Sequence, residues 1–233
     1  MSAEVLAGDP LNTLLDRIGG LRPSTGRYAR QFALQLYRLL ARGNPVRVEE
    51  LAETLNRRSF QMRRTIDSWP SLVQQDEHKR VVGFGGLTLE RTQHRFSIGG
   101  RSLYTWCAWD SLFIPEIIGK TAHVQSECPV TGRPISVTMR PNGERGEGGG
   151  SQCDPPEAMV SFLLPDATDL KQDVRGSFCE YVHFFASRDA GDEWTRRNEG
   201  TFLLTVSEAF ELGRRKNGSQ FGDMLKQSSP LKR

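Results

Sequence analysis

Trp106-Cys107-Ala108-Trp109-Asp110 sets a thiol three residues ahead of a carboxyl. A thiolate is a nucleophile and a soft-metal ligand, and a carboxyl can give or take a proton. On a helix, residues three apart share one face. A helix from about Tyr104 to Phe113, N-capped by Ser102 or Thr105, would place Cys107 in or near its first turn. There the helix dipole favours thiolate. The plainer reading is a small buried cysteine beside a solvated aspartate, and for a lone cysteine that reading prevails.

A second thiol lies in Ser177-Phe178-Cys179-Glu180-Tyr181-Val182-His183-Phe184-Phe185. Read as a buried strand over Phe178–Ala186, the alternation puts Cys179, Tyr181 and His183 on one face. The plainer reading is a core cysteine in a buried strand, with His183 a hydrogen-bonded strand residue rather than a ligand, and the spacing does not make a zinc site. Cys128 sits in a turn between two strands. It has no second cysteine two residues away, so a structural thiol is expected. Cys153 falls in a Gly-rich loop and reads as exposed and incidental. Arg57, Arg58, Arg63 and Arg64 either meet phosphates or form a solvated basic face. Gly83, Gly85 and Gly86 fall within a strand and open no helix, so they make no dinucleotide fingerprint.

These residues need a scaffold, and 233 residues are enough for one large or two small domains with a real core. Basic and acidic residues nearly balance, 31 against 28, which gives no push towards a nucleic-acid or membrane-surface role. No apolar run approaches the ~18 residues of a membrane span. The first 16 residues do not read as a secretory signal. A cytoplasmic protein with reduced thiols is expected.

Residues 1–25 read as a lead-in with a weak helix over Leu11–Ile18. Three amphipathic helices follow: Arg27–Ala41, Val48–Leu55, and one capped by Ser59 and stopped at Pro70. A strand pair, Leu72–Gln75 and Arg80–Leu89, completes the order of a winged helix. Beyond Arg91 the pattern turns to strands. Gly99-Gly100 signals a hairpin, and strands are expected at Ala122–Ser126, Ile135–Met139, Met159–Leu164 and Phe202–Val206. Helices are expected at Asp192–Arg197 and Ser207–Arg214. Pro141–Pro156 reads as a flexible loop, and the tail from Gly213 as frayed. The expected class is α+β: a winged-helix-like three-helix module over 1–90, then an antiparallel-sheet domain with flanking helices over 91–233.

Three segments, LYTWCAWDSLFIPEIIGKTAHVQS, CPVTGRPISV and VRGSFCEYVHFFAS, together resemble the organomercurial (alkylmercury) lyases in order and spacing. The resemblance spans roughly residues 28–212. By it, Cys107 and Cys179 match the family's catalytic cysteines, Asp110 its catalytic acid, and Cys128 a cysteine treated as structural. The family's winged-helix-like module covers the catalytic domain and is not known as a DNA reader. Two features depart from the pattern: Glu180, where some members carry a second cysteine, and a longer, Gly-rich loop over 142–152.

The resemblance implies protonolysis of a carbon–mercury bond. Mercury is soft and prefers thiolate. Two thiolates raise the electron density at the attached carbon, and Asp110 delivers a proton at close range. Two anionic sulfurs nearby would raise the carboxyl's pKa. The products are a hydrocarbon and Hg(II) on Cys107 and Cys179. No organic cofactor is implied. Low-molecular-weight cytosolic thiols or a mercuric reductase take the ion away. Trp106, Phe113 and Phe178 either form a pocket for the organic group or belong to the core. Two non-enzymatic readings compete: a metal-responsive regulator that binds DNA through the four arginines, and a mercury-binding protein without catalysis. Simple capture needs no acid, so Asp110 speaks against the latter.

Overall fold

A computed structural model describes residues 10–21, 26–141 and 149–225. Helix α1 (Pro10–Gly19) comes first. It is more than a lead-in, because Leu14 and Ile18 are buried in the common core. Helix α2 (Arg27–Leu40) buries Phe32, Leu36, Leu39 and Leu40, the spacing of one apolar stripe. Helix α3 (Val48–Leu55) ends at Asn56 in the left-handed conformation. Helix α4 (Ser59–Asp67) is capped at Arg58, one residue before the expected Ser59; Arg58 N–H donates to the Gln61 side chain at 3.2 Å.

The strand expected over 80–89 is two strands. β1 (Val73–Gln75) pairs with β2 (Val81–Phe84), and the chain reverses at Gly85-Gly86 into β3 (Leu87–Thr88). Both glycines have positive φ, which side chains rarely adopt. Then come β4 (His94–Ile98), β5 (Arg101–Thr105), helix α5 (Ala108–Ile118), β6 (Ala122–Glu127), β7 (Pro134–Arg140) and β8 (Gly150–Asp154). Together β1 to β8 form one antiparallel sheet, ordered β1-β2-β3-β5-β4-β6-β7-β8. It crosses residue 90 without interruption. β8 replaces the end of the loop expected over 141–156, and positions 142–148 of that loop lie outside the described residues.

A smaller sheet, β10-β9-β11, uses β9 (Met159–Leu163), β10 (Phe184–Phe185) and β11 (Thr201–Thr205). Helix α6 (Ala167–Gln172), helix α7 (Val174–Ser177) and a 3-10 turn (Cys179–Tyr181) connect β9 to β10. The nine-residue strand expected over 178–186 therefore shrinks to two residues, and its predicted face alternation does not exist. Helix α8 (Arg188–Thr195) precedes β11. Helix α9 (Val206–Phe221) then runs well past the expected stop at Arg214. Its second half is not frayed, because Lys216, Asn217 and Phe221 are buried. Helix α9 packs on α5, where Gly213 lets the two helices close. A Cβ there would lie 2.7 Å from the Phe113 Cβ.

Candidate active site

Helix α5 starts later than the sequence suggests. Residues 101–105 belong to β5, and neither Ser102 nor Thr105 is the N-cap; Cys107 itself is. Its extended backbone (φ -142°, ψ 174°) turns the chain from strand into helix. Cys107 N–H donates to Asp110 Oδ2 at 3.1 Å, while the Asp110 N–H points back at the Cys107 sulfur. This is a reciprocal capping box built from the two residues singled out for chemistry. Thr105 Oγ1 donates to the Cys107 carbonyl at 3.0 Å and fixes the corner. Trp106 N–H donates to the Gly86 carbonyl at 2.8 Å, which brings the Gly85-Gly86 turn against Asp110. A side chain at Gly86 would overlap the Asp110 carboxyl.

Cys179 arrives from the other side. Asp173 caps α7, accepting from Arg175 and Gly176 N–H at 3.1 Å each. The 3-10 turn is then pinned to β9. Buried Ser161 donates to the Tyr181 carbonyl at 2.7 Å and accepts from His183 N–H at 3.0 Å. Ala108 N–H donates to the Val182 carbonyl at 3.1 Å, which joins the turn to the start of α5. Trp109 locks the arrangement: fully buried, it donates to the Ala209 carbonyl at 2.9 Å and meets Phe113, Phe162 and Phe178 edge-on.

One ligand atom from each of Cys107, Asp110 and Cys179 lies within 4.8 Å of the others, and all three residues are buried. Burial, the Cys179 hydrogen bond and the Asp110 charge push the Cys107 thiol well above its usual value. The thiolate expected from the helix dipole is thus overridden by burial. The Cys107 hydrogen bond lowers Cys179, but burial and the Asp110 charge outweigh it and the net shift is upward. Burial lifts Asp110 to about 6, against partial relief from Cys107 and Lys216. The expected cause, repulsion by two sulfurs, is therefore not the operative one. Both cysteines rest as thiols beside a carboxyl able to accept a proton near neutrality.

Asp110 and Cys179 line a cavity walled by Trp106, Trp109, Phe113 and Phe178, as well as by Ile18 and Leu21 near α1 and by Lys216 and Gln220 of α9. Sequence reasoning missed the contributions of α1 and α9. The signal for Lys216 was present: it falls on the face that carries Ala209 and Leu212.

Cys128 and Cys153 stay outside the cluster. Burial raises Cys128, but the Thr131 hydroxyl and the N–H groups of Ala186, Thr131 and Val130 outweigh it, and the net shift is downward. Cys153 is half-buried in β8, not exposed, and burial pushes it up to about 11. His183 Nδ1 pairs with Gln93 Nε2 at 2.8 Å, and Glu180 is exposed. Among the four arginines, Arg63 is held by Gln75 at 2.9 Å and by the Lys79 carbonyl at 3.3 Å; Arg57 and Arg64 line a surface cleft with Tyr28 and Phe60. No helix among the described residues is long and apolar enough to cross a membrane.

Residues 87–218 match the family described as alkylmercury lyase, and residues 14–85 match the helix-turn-helix domain of alkylmercury lyase. An alkylmercury lyase of Pseudomonas putida is 41% identical over 82% of this chain and 86% of its own. One from Streptomyces lividans is 40% identical over 77% of this chain and 78% of its own. The fold is similar to that in a crystal structure of the mercury-bound form of MerB2. The TM-score is 0.72 and the identity 19%, over 92% of this chain and 99% of that one.

Proposed function

The chain belongs to the alkylmercury lyase family, whose enzymes break carbon–mercury bonds, and from that premise we propose that Cys107, Cys179 and Asp110 carry out the cleavage here. The observation that carries this reading is the buried cluster of two thiols and one carboxyl within 4.8 Å.

One thiol displaces the ligand with which the organomercurial arrives. Asp110, a carboxylate above about pH 6, takes the proton of the second thiol, which then joins mercury. Two soft sulfurs load the metal with electron density and make the attached carbon basic. Asp110 returns its proton to that carbon over a distance already set by the capping box. The hydrocarbon leaves, and Hg(II) stays on Cys107 and Cys179. Trp106, Phe113 and Phe178 hold the organic group and keep water away. Low-molecular-weight thiols, or a mercuric reductase, then remove the ion in the cytoplasm. No resident cofactor enters, and Cys128 serves the fold.

The test is headspace gas chromatography of methane from methylmercury with excess low-molecular-weight thiol. Many methane molecules per protein are expected. No methane, together with no benzene from phenylmercury, refutes the reading.

A further inference from the structure

Helix α9 places an ammonium group where its apolar stripe would ordinarily place a leucine. Lys216 is 7% exposed, and its Nζ lies 3.5 Å from the centroid of the Phe113 ring, one turn along α5 from Asp110. Burying a cation is costly unless something answers its charge, and a ring face offsets only part of that cost. Among the described residues lining the cavity, Lys216 is the one cation and Asp110 the one carboxylate, and the two attract. A ring face alone does not call for a charged end on this side chain.

The proposed reaction does. The substrate enters as R–Hg–SR′. One enzyme thiol replaces R′S, and its proton departs with that ligand as R′SH. The second thiol passes its proton to Asp110 and binds mercury. The site then holds a neutral Asp110 and an R–Hg bis-thiolate with one negative charge. Asp110 protonates the carbon as the electron pair of the carbon–mercury bond moves onto it. R–H leaves, a neutral Hg(II) bis-thiolate remains, and Asp110 is again a carboxylate. One negative charge has travelled from Asp110 to mercury and back inside a buried, weakly screened site. A fixed cation facing the cavity attracts that charge as it moves off Asp110, which lowers the cost of the step that loads mercury with its second thiolate.

We propose that Lys216 is the counter-cation of the mercury bis-thiolate, a positioning residue that keeps the buried site neutral while the charge moves; this rests on the lyase reading above. The other charged groups nearby do not fill that role. Arg175 acts on Cys179 from an exposed position, its guanidinium 5.7 Å from the Trp106 ring, and Asp173 opposes it. Glu116 is engaged by Asn217 at 2.8 Å and by Arg214 at 3.8 Å.

The test compares the 233-residue chain with its Lys216→Met and Lys216→Arg variants. Benzene release from phenylmercury gives kcat and KM, and the ultraviolet charge-transfer band of mercury–thiolate bonds follows titration with Hg(II). Lys216→Met should lower kcat about 10- to 100-fold, the range one charge commands at screened distance. KM should change little, and Hg(II) should still titrate at one ion per protein, because the product complex is neutral. Lys216→Arg should recover most of kcat. Parental kcat in Lys216→Met, or no recovery in Lys216→Arg when it titrates Hg(II) normally, overturns the proposal and leaves the lyase reading intact. A parent protein that releases no benzene overturns both.

Discussion

Replacing Asp110 with Asn should make the protein more stable while stopping its chemistry. Asp110 is buried, and its carboxyl is pushed up to about 6 from the 3.8 usual for an aspartate. The folded state therefore holds the proton more tightly than the unfolded chain. Below pH ~4 both states are protonated and nothing is lost. Between ~4 and ~6 the unfolded chain gives up its proton first, and stability falls as pH rises. Above pH 6 the full penalty applies. Such a rise is worth about 3 kcal/mol at pH 7.5 and about half of that at pH 5. The attraction to Lys216 is already inside those figures. Asparagine removes the charge, and its side-chain oxygen can still accept from Cys107 N–H, so the cap of α5 survives. For a chain of this length, 3 kcal/mol corresponds to about 6–12 °C in Tm. Thermal unfolding of both proteins at pH 7.5 and pH 5 measures the difference. A gain at pH 7.5 that shrinks by about half at pH 5, with no hydrocarbon release, is the expected result. A variant less stable than its parent at pH 7.5, or a gain that ignores pH, would refute the assignment of a charged, buried Asp110.

Other outcomes follow from the same geometry. Cys107→Ser and Cys179→Ser should each lower hydrocarbon release by roughly a thousandfold or more and keep the circular dichroism of the parent. Normal turnover in either removes the two-thiolate mechanism. In the parent, kcat/KM should fall on the acid side with an apparent pKa near 6, because a protonated Asp110 cannot take the second thiol's proton; the rate profile between pH 5 and 8 reads this directly. Gly86→Ala forces a side chain into the Asp110 carboxyl at a positive φ of 103° and should cost more than about 2 kcal/mol in urea unfolding, along with most of the activity. Removing residues 214–233 should leave an insoluble or unfolded chain, since Asn217 donates to the Phe113 carbonyl at 2.9 Å and Phe221 is fully buried.

The parts of this architecture that repeat in sequence were legible there. The apolar stripes of α2 and α3 and the alternation of β6 and β7 fall where expected, because burial on one face writes a period into the chain. Misreadings occurred where tertiary hydrogen bonds override that period. Phe178–Ala186 has the composition of a buried strand. Yet Asp173 starts a short helix just before it, and Ser161 holds Tyr181 and His183 in a turn that no local signal announces. Helix α5 was expected some four residues early because Cys107 is a rare N-cap. Ser102 and Thr105 look better by residue type, yet they lie in β5. Helix α9 was cut short because Arg214, Arg215, Lys216 and Asn217 look like a solvated end, although two of them are buried against α5.

Helix α9 also carries a consequence for the order in which a cell makes this protein. Synthesis proceeds from the amino terminus, and domains begin to fold as they leave the ribosome. The carboxyl and both thiols are in the nascent chain once Cys179 has emerged. The floor beneath Trp109 and the lysine beside the cavity are not, because Ala209 and Lys216 come later. At roughly 5–20 residues per second, the 37 residues that separate Lys216 from Cys179 take seconds to appear. Through that interval the half-made chain carries two soft thiols without the wall that will bury them. The metal this pocket is proposed to handle is thus a hazard to its own synthesis until helix α9 docks.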